Sequence, residues 1–267
     1  MQIYKIIYEY SYNQPQILYK IHNNLLPLQY IFLQTTSILM NIGIIVAMSK
    51  ELRLLLPLLN NRSESKIDGL SFHKGEIGNN TVVAMQCGIG KVNAALGTLT
   101  MIKNFDIDLI INSGVAGGAD KSINVMDIVI GERVAYHDVY CGPESTLGAV
   151  QGLPLYYPAC QSVLKSLTCD GSLRFGLICS GDQFIDTVEQ LNRIKDSFPE
   201  ALAVDMESAA IAQTCYLYKK DFISMRVISA SPGASHNNAL QYENFWETAP
   251  EHTFNVLHHI ILNLNTD

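Results

Sequence analysis

Short runs of uninterrupted apolar residues, each closed by a glycine or a polar side chain, recur along the chain from about residue 40 onward. The first, Asn41 to Ala47, does not alternate, which predicts a strand covered on both faces. Leu52, Leu55, Leu56 and Leu59 follow at helical spacing, with Met48-Ser49 opening the helix. Gly69, Gly75 and Gly78 punctuate Ser65 to Ile77, which predicts small antiparallel strands and turns. Thr81 to Cys87 is a second buried strand, and Gly88-Ile89-Gly90 turns it into a helix with Val92, Ala95, Leu96, Leu99 and Ile102 on one face. Ile107 to Asn112 is a third strand, ending in what reads as a glycine turn from Ser113 to Gly118.

The same pattern predicts strands at Val125 to Glu132, Arg174 to Ser180, Leu202 to Val204 and Phe222 to Ile228. Helices are predicted at Thr187 to Ser197, Ser208 to Tyr218 and Phe245 to Leu264, the last with Phe254, Leu257, Ile261 and Leu264 along one stripe. Strands alternating with helices through glycine turns give an α/β domain, a sheet with helices on its faces. No Gly/Ser-rich or Pro-rich linker interrupts it after residue 40, so residues 40–267 read as one domain.

Residues 1–39 are different. Their apolar runs are broken by Gln29, Gln34, Thr35 and Thr36 before reaching the roughly 20 residues that span a bilayer. They also lack the basic start, compact apolar stretch and small-residue cleavage site of a signal peptide. A second methionine, Met40, stands directly before the first clean strand. The segment is expected to be a leader or appended arm outside the domain, with no integral membrane association.

Charge narrows the function classes. The net charge is −7 and lysines and arginines are scattered, so a nucleic acid backbone finds no basic footprint. Only 16% of residues are charged against 48% hydrophobic, which suits a buried sheet or an oligomeric interface. The six cysteines show no C-x-x-C pair and no ligand spacing with histidine, and Cys87 and Cys179 end apolar strands. They read as reduced core thiols, which favours the cytoplasm.

Ligands of open α/β sheets settle beyond the carboxyl ends of the strands. That rule singles out Glu51, the 114–118 glycines, Gly181 to Ile185, Asp205-Met206-Glu207, Arg226 and Ser229. The glycines serve either a turn needing positive φ or a close backbone approach to a ligand. Glu207 reads either as part of a helix start or as a carboxylate accepting from two adjacent hydroxyls, such as a ribose diol. Phe184 is either core or a stacking surface for a flat heterocycle. His137 and His236 have no partner at metal-ligand spacing, so no metal and no cofactor is expected. A serine-hydrolase elbow is absent.

Taken together, IGIIVAMSKE (42–51), CGIGKVNAALG (87–97), NSGVAGG (112–118), DIVIGERVAYHD (127–138), GLICSGDQFI (176–185), AVDMESAAIA (203–212) and RVIS (226–229) resemble the nucleoside phosphorylase superfamily. Within it they are most similar to the bacterial 5′-methylthioadenosine/S-adenosylhomocysteine nucleosidases. The resemblance implies a three-layer α/β/α sandwich with a mixed central sheet, a homodimer, and hydrolysis of an adenine nucleoside by water with release of adenine. It implies that Glu51 polarises the water with Arg226 close by, and that Glu207 binds the ribose hydroxyls beside Asp205 and Met206. It further implies Phe184 stacked on adenine, the Ile185 backbone reading its edge, Val115, Ala116, Gly117 and Ser229 lining the pocket, and Tyr242 at the alkylthio end. His137 and Pro154 belong, on the same resemblance, to a stretch that reaches the partner subunit's pocket.

One position departs from the family. After RVIS the family has an aspartate, the general acid for the departing adenine, and here that residue is Ala230. Loss of a positioned acid costs about 10²–10⁴ in rate. The chain is therefore expected to be an impaired nucleosidase, with Asp182 as a stand-in acid at most. A purine nucleoside phosphorylase is one alternative; an inactive nucleoside-binding or storage protein on the same fold is the other. Val115 is a milder departure, standing where the turn often carries serine.

Overall fold

The computed structural model describes residues 18–21, 24–27, 40–167, 173–230, 245 and 250–264. It distinguishes two compact units, the first ending at Ile38 and the second beginning at Leu39. In the first, β1 (Leu18–Ile21) and β2 (Asn24–Pro27) pair antiparallel, an element the apolar pattern did not predict.

The second unit is built on a mixed sheet. Its strands are β3 (Asn41–Val46), β4 (Asn60–Ile67), β5 (Leu70–Ile77), β6 (Asn80–Gln86), β7 (Leu109–Gly118), β8 (Ile128–Tyr136), β9 (Tyr157–Pro158), β10 (Leu173–Ser180), β11 (Ala201–Asp205) and β12 (Asp221–Ala230). They are ordered β11-β10-β8-β12-β7-β3-β6-β5-β4, and β9 pairs with β8. Pairing is parallel for β10–β11, β10–β8, β12–β7, β3–β7 and β3–β6, and antiparallel for β12–β8 and through β6–β5–β4. The far end of β7 also pairs antiparallel with β11, Ala203 opposite Gly118, which closes β7, β12, β8, β10 and β11 into a ring.

Helices cover both faces. The alternation of β3 sends Ile42, Ile44 and Val46 to one face and Ile45 to the other. The first face packs against α1 (Ser49–Leu55), α3 (Gln161–Leu167) and α6 (Pro250–Asn263), and the second against α2 (Lys91–Asn104) and α5 (Ser208–Tyr218). A sixth helix, α4 (Val188–Ser197), packs Ile194 near β10 and β11, its start capped by Thr187, whose hydroxyl accepts from the Gln190 N–H. This is the expected three-layer arrangement. On α6 the predicted stripe is buried, with Leu257 and Ile261 fully enclosed. Burying each such side chain contributes about 1.5–3 kcal/mol.

Two expectations are corrected. The stretch from Ser113 to Gly118 is no turn: β7 runs straight through it, and none of Gly114, Gly117 and Gly118 has positive φ. Helix α2 also buries a different face, Ala94, Gly97, Thr98 and Met101, leaving Val92 69% and Leu96 56% exposed. Small side chains decide this. A Cβ on Gly97 would stand 2.8 Å from Cys87 Cβ, so that face alone allows the close approach to the sheet that the helix makes. The short α3 and β9 were not predicted, because neither carries enough periodicity to stand out.

The five cysteines among the described residues are free thiols, Cys87, Cys179 and Cys215 buried. No helix among the described residues is long and apolar enough to cross a membrane.

Candidate active site

Where β3, β7, β10, β11 and β12 end, they surround a cleft with about 720 Å³ of space counted out to its open mouth. Its lining includes Glu51, Val115, Ala116, Gly117, Phe184, Ile185, Asp205, Met206, Glu207, Arg226, Ser229 and Ala230, all singled out from the sequence. Residues distant in the chain thus meet at one place.

Glu51 lies in the first turn of α1, directly after β3. Its Oε2 accepts from the N–H groups of Ala47 (3.0 Å) and Met48 (2.8 Å), and its Oε1 accepts from Val115 N–H (3.2 Å). These donors fix the carboxylate although it is 1% exposed. Burial pushes its pKa up, against the opposing pull of Arg226 and the three N–H groups. A carboxylate whose pKa is raised is a stronger proton acceptor than a solvated one.

Arg226 comes from β12, one strand from β7 and in register with Gly114. A Cβ on Gly114 would collide with Arg226 Nη1 and stand 2.8 Å from Glu51 Oε1. Glycine here serves close approach: it lets the guanidinium and the carboxylate lie together over the bare backbone of β7. The other edge of the guanidinium is clamped. Nη2 pairs with Asp205 Oδ2 at 2.6 Å and donates to Asn112 Oδ1, while Nε donates to Ser208 Oγ at 3.2 Å. Asn112 is oriented in turn by donating from Nδ2 to Ile45 O, and Ser208 by Ser224 Oγ at 2.7 Å. Burial disfavours the charge on Arg226, but Asp205, Glu207 and Glu51 outweigh it and hold its pKa up.

Asp205 and Glu207 divide the work between them. Asp205 is saturated by protein groups: Arg226, the hydroxyls of Ser180 and Ser208, and the Ser208 N–H at the start of α5. Glu207 is less committed. Its Oε1 accepts from Gly90 N–H at 3.0 Å, and its Oε2 lies 3.7 Å from Arg226 and faces the cleft lining. Burial, opposed by Arg226, and then Asp205 raise its pKa to about 7.

A raised carboxyl pKa makes ionisation unfavourable to the fold. The cost is absent below the unfolded value near 4.5, grows as pH rises, and is complete above about 7. Glu207→Gln is therefore expected to melt higher than the parent at pH 8, with the difference fading by pH 5 in thermal unfolding.

At the far end of the cleft, a β-bulge between Ile228 and Ala230 breaks the pairing of β12 with β7. Two consecutive side chains, Ser229 and Ala230, consequently line the cleft. Ser229 Oγ donates to Ala116 O at 3.3 Å, and Ala230 offers only a methyl group. Phe184, 54% exposed, and Ile185 follow β10. Asp182 is not in the lining: its Oδ1 accepts from the Lys91 N–H at the start of α2, and its own N–H donates to Asp138. His137 is buried, close enough to Gly181 that a Cβ there would strike the imidazole, and Pro154 is half-buried; neither lines this cleft. Tyr242 and His236 lie outside the described residues.

Sequence reasoning missed Asn112, Ser180, Ser208 and Ser224, which hold the charged groups, and Ile89 in the lining. Ile89, an apolar residue between two glycines and 52% exposed, carried a readable signal. The small polar residues carried none, since their role exists only once four strands are assembled.

A family model described as the phosphorylase superfamily matches residues 41–262. The 5′-methylthioadenosine/S-adenosylhomocysteine nucleosidase of Staphylococcus carnosus is 43% identical over 198 residues, covering 70% of this chain and 85% of that protein. The S-adenosylhomocysteine nucleosidase from Streptococcus pyogenes, solved in complex with 5-methylthiotubericidin, superposes with a TM-score of 0.80 at 32% identity, over 85% of this chain and 98% of its own. The nucleosidase from S. pneumoniae, solved with the transition-state inhibitor MT-ImmA, gives 0.79 at 34% identity, over 85% and 100%.

Proposed function

The chain belongs to the phosphorylase superfamily, and on that premise we propose that it hydrolyses the N-glycosidic bond of 5′-methylthioadenosine, S-adenosylhomocysteine or both, releasing adenine. The observation that carries this reading is the meeting of Glu51 and Arg226 over Gly114, with Glu207 3.7 Å from the same guanidinium. Glu51 takes the proton of a water that Arg226 helps orient, and the oxygen attacks C1′. Glu207, beside Met206, accepts from the ribose hydroxyls. Positive charge developing on the sugar is stabilised by the surrounding carboxylates. Phe184 stacks on the base and the Ile185 backbone meets its edge.

Phosphorolysis fits less well. Among the described residues of the lining, three carboxylates face one guanidinium, which Asp205 already clamps. A phosphate dianion is repelled where neutral water is not. Products formed in phosphate buffer are expected to contain the free sugar and no sugar 1-phosphate by phosphorus NMR; a 1-phosphate signal would reverse the assignment. Ala230 favours a second reading, a protein that binds the nucleoside without cleaving it.

The outward face of α2 suits a homodimer. Val92 and Leu96 stand exposed near Ile89 at the cleft, and Tyr216 and Leu217 are exposed on α5, which packs against α2. Light scattering is expected to give a dimer for the parent and for a chain without residues 1–39, and a monomer for the paired change Val92→Asp and Leu96→Asp. A dimeric double variant, or a monomeric truncation, contradicts this assignment of surfaces. The reading places the protein in methionine salvage in the cytoplasm.

A further inference from the structure

The two ends of the cleft differ chemically. Register sets Arg226 beside Gly114 and Ala230 beside Gly117. Three steps along β7 at about 3.3 Å each put roughly 10 Å between these ends, the extra residue of β12 being taken up by its bulge. The first end holds Glu51, Asp205, Glu207 and Arg226. The second is formed by Ala116, Gly117, Phe184, Ile185, Ser229 and Ala230. Among the described residues of the lining, every ionisable group belongs to the first end. The hydroxyl of Ser229 is a poor proton donor and is already turned to Ala116 O.

Among the described residues, nothing at the second end can protonate a departing purine, which leaves C1′ poorly as an anion. A purine alkylated at N7 has no such need. Its ring already carries a positive charge, and the electron pair of the breaking C1′–N9 bond neutralises it. The surplus of carboxylates also attracts a cationic nucleoside more than a neutral one.

We propose that this cleft hydrolyses purine nucleosides alkylated at N7, a further activity resting on the nucleosidase reading above. The water oxygen bonds to C1′ as its proton passes to Glu51. The C1′–N9 pair moves onto the base, which leaves as a neutral 7-alkylpurine, and the sugar is released with a new hydroxyl at C1′. Glu51 returns its proton to solvent, closing the cycle without an acid at residue 230.

The test compares 5′-methylthioadenosine with its 7-methyl derivative, each corrected for spontaneous hydrolysis, in the natural chain, in Ala230→Asp and in Glu51→Gln. In the natural chain kcat/KM is expected to favour the 7-methyl substrate by about 100-fold or more, the lower bound of what a missing acid costs. In Ala230→Asp that preference should shrink at least about tenfold, because an acid assists only the unalkylated base. Glu51→Gln should lose release from both. If Ala230→Asp cleaves 5′-methylthioadenosine while the natural chain shows no preference for the alkylated substrate, the inference falls and the nucleosidase reading stands. If no form releases base from either substrate above the spontaneous rate, both fall.

Discussion

Ala230→Asp raises the rate of adenine release from 5′-methylthioadenosine by about 10²–10⁴-fold, the usual contribution of a positioned general acid. The expectation rests on where Ala230 stands. It is the last residue of β12, 6% exposed, just past the bulge and in the cleft lining. A carboxyl there enters an apolar surrounding of Ala116, Gly117, Phe184 and Ile185. Such a setting disfavours the ionised form, so the new acid holds its proton nearer neutral pH than a solvated aspartate does. Little else needs to change, because Glu51, Arg226 and Glu207 are held by groups that residue 230 does not touch. Continuous detection of adenine, with both forms at equal concentration, measures the gain. A gain under about threefold would mean that the acid is supplied elsewhere or that bond cleavage is not the function, since even the weakest positioned acids give more.

The second large effect is a loss. In the Ala230→Asp form, Glu51→Gln is expected to lower kcat by about 10²–10⁴, or ~3–5 kcal/mol of transition-state stabilisation, with KM nearly unchanged. Glutamine keeps the shape and still accepts from the Ala47 and Met48 N–H groups through one oxygen. It cannot take a proton from water. Its NH₂ must also face the Val115 N–H, from which Glu51 Oε1 now accepts, and the positive charge of Arg226. Stability should move the other way. Burial raises the Glu51 pKa, so its ionised form costs the fold stability above the ordinary glutamate value, and the neutral amide removes that cost. Calorimetric binding of a nucleoside with an uncleavable bond separates the cases: retained affinity with lost turnover supports a base, whereas equal loss of both points to binding alone. The pairing of higher stability with lower activity marks a site where charge is held against the preference of the fold.

Glu207 follows the same physics, its carboxyl pKa pushed up by burial, which is why a pH series on Glu207→Gln reports on what its charge costs the fold. The three carboxylates are tolerated because one guanidinium serves all of them, and that guanidinium is held by Asn112, Ser208 and Asp205.

The sequence alone determined the layered α/β plan, because strand and helix periods and the glycines closing each run are local properties of the chain. Asn41–Val46, Asp221–Ala230 and Ser208–Tyr218 fell where the apolar runs placed them. It also supplied the kinds of chemistry available at strand ends, namely Glu51, Glu207, Arg226 and an alanine at 230. Tertiary structure decided which of two apolar faces α2 would bury, since the choice depended on how near Gly97 could come to Cys87 and Met85. It also turned an apparent glycine turn into the floor of the cleft, because the collision that Gly114 avoids involves residues 63 and 112 positions away, far beyond any local pattern. Periodicity reports which way a side chain leaves its own element; only the assembled sheet sets what it meets there.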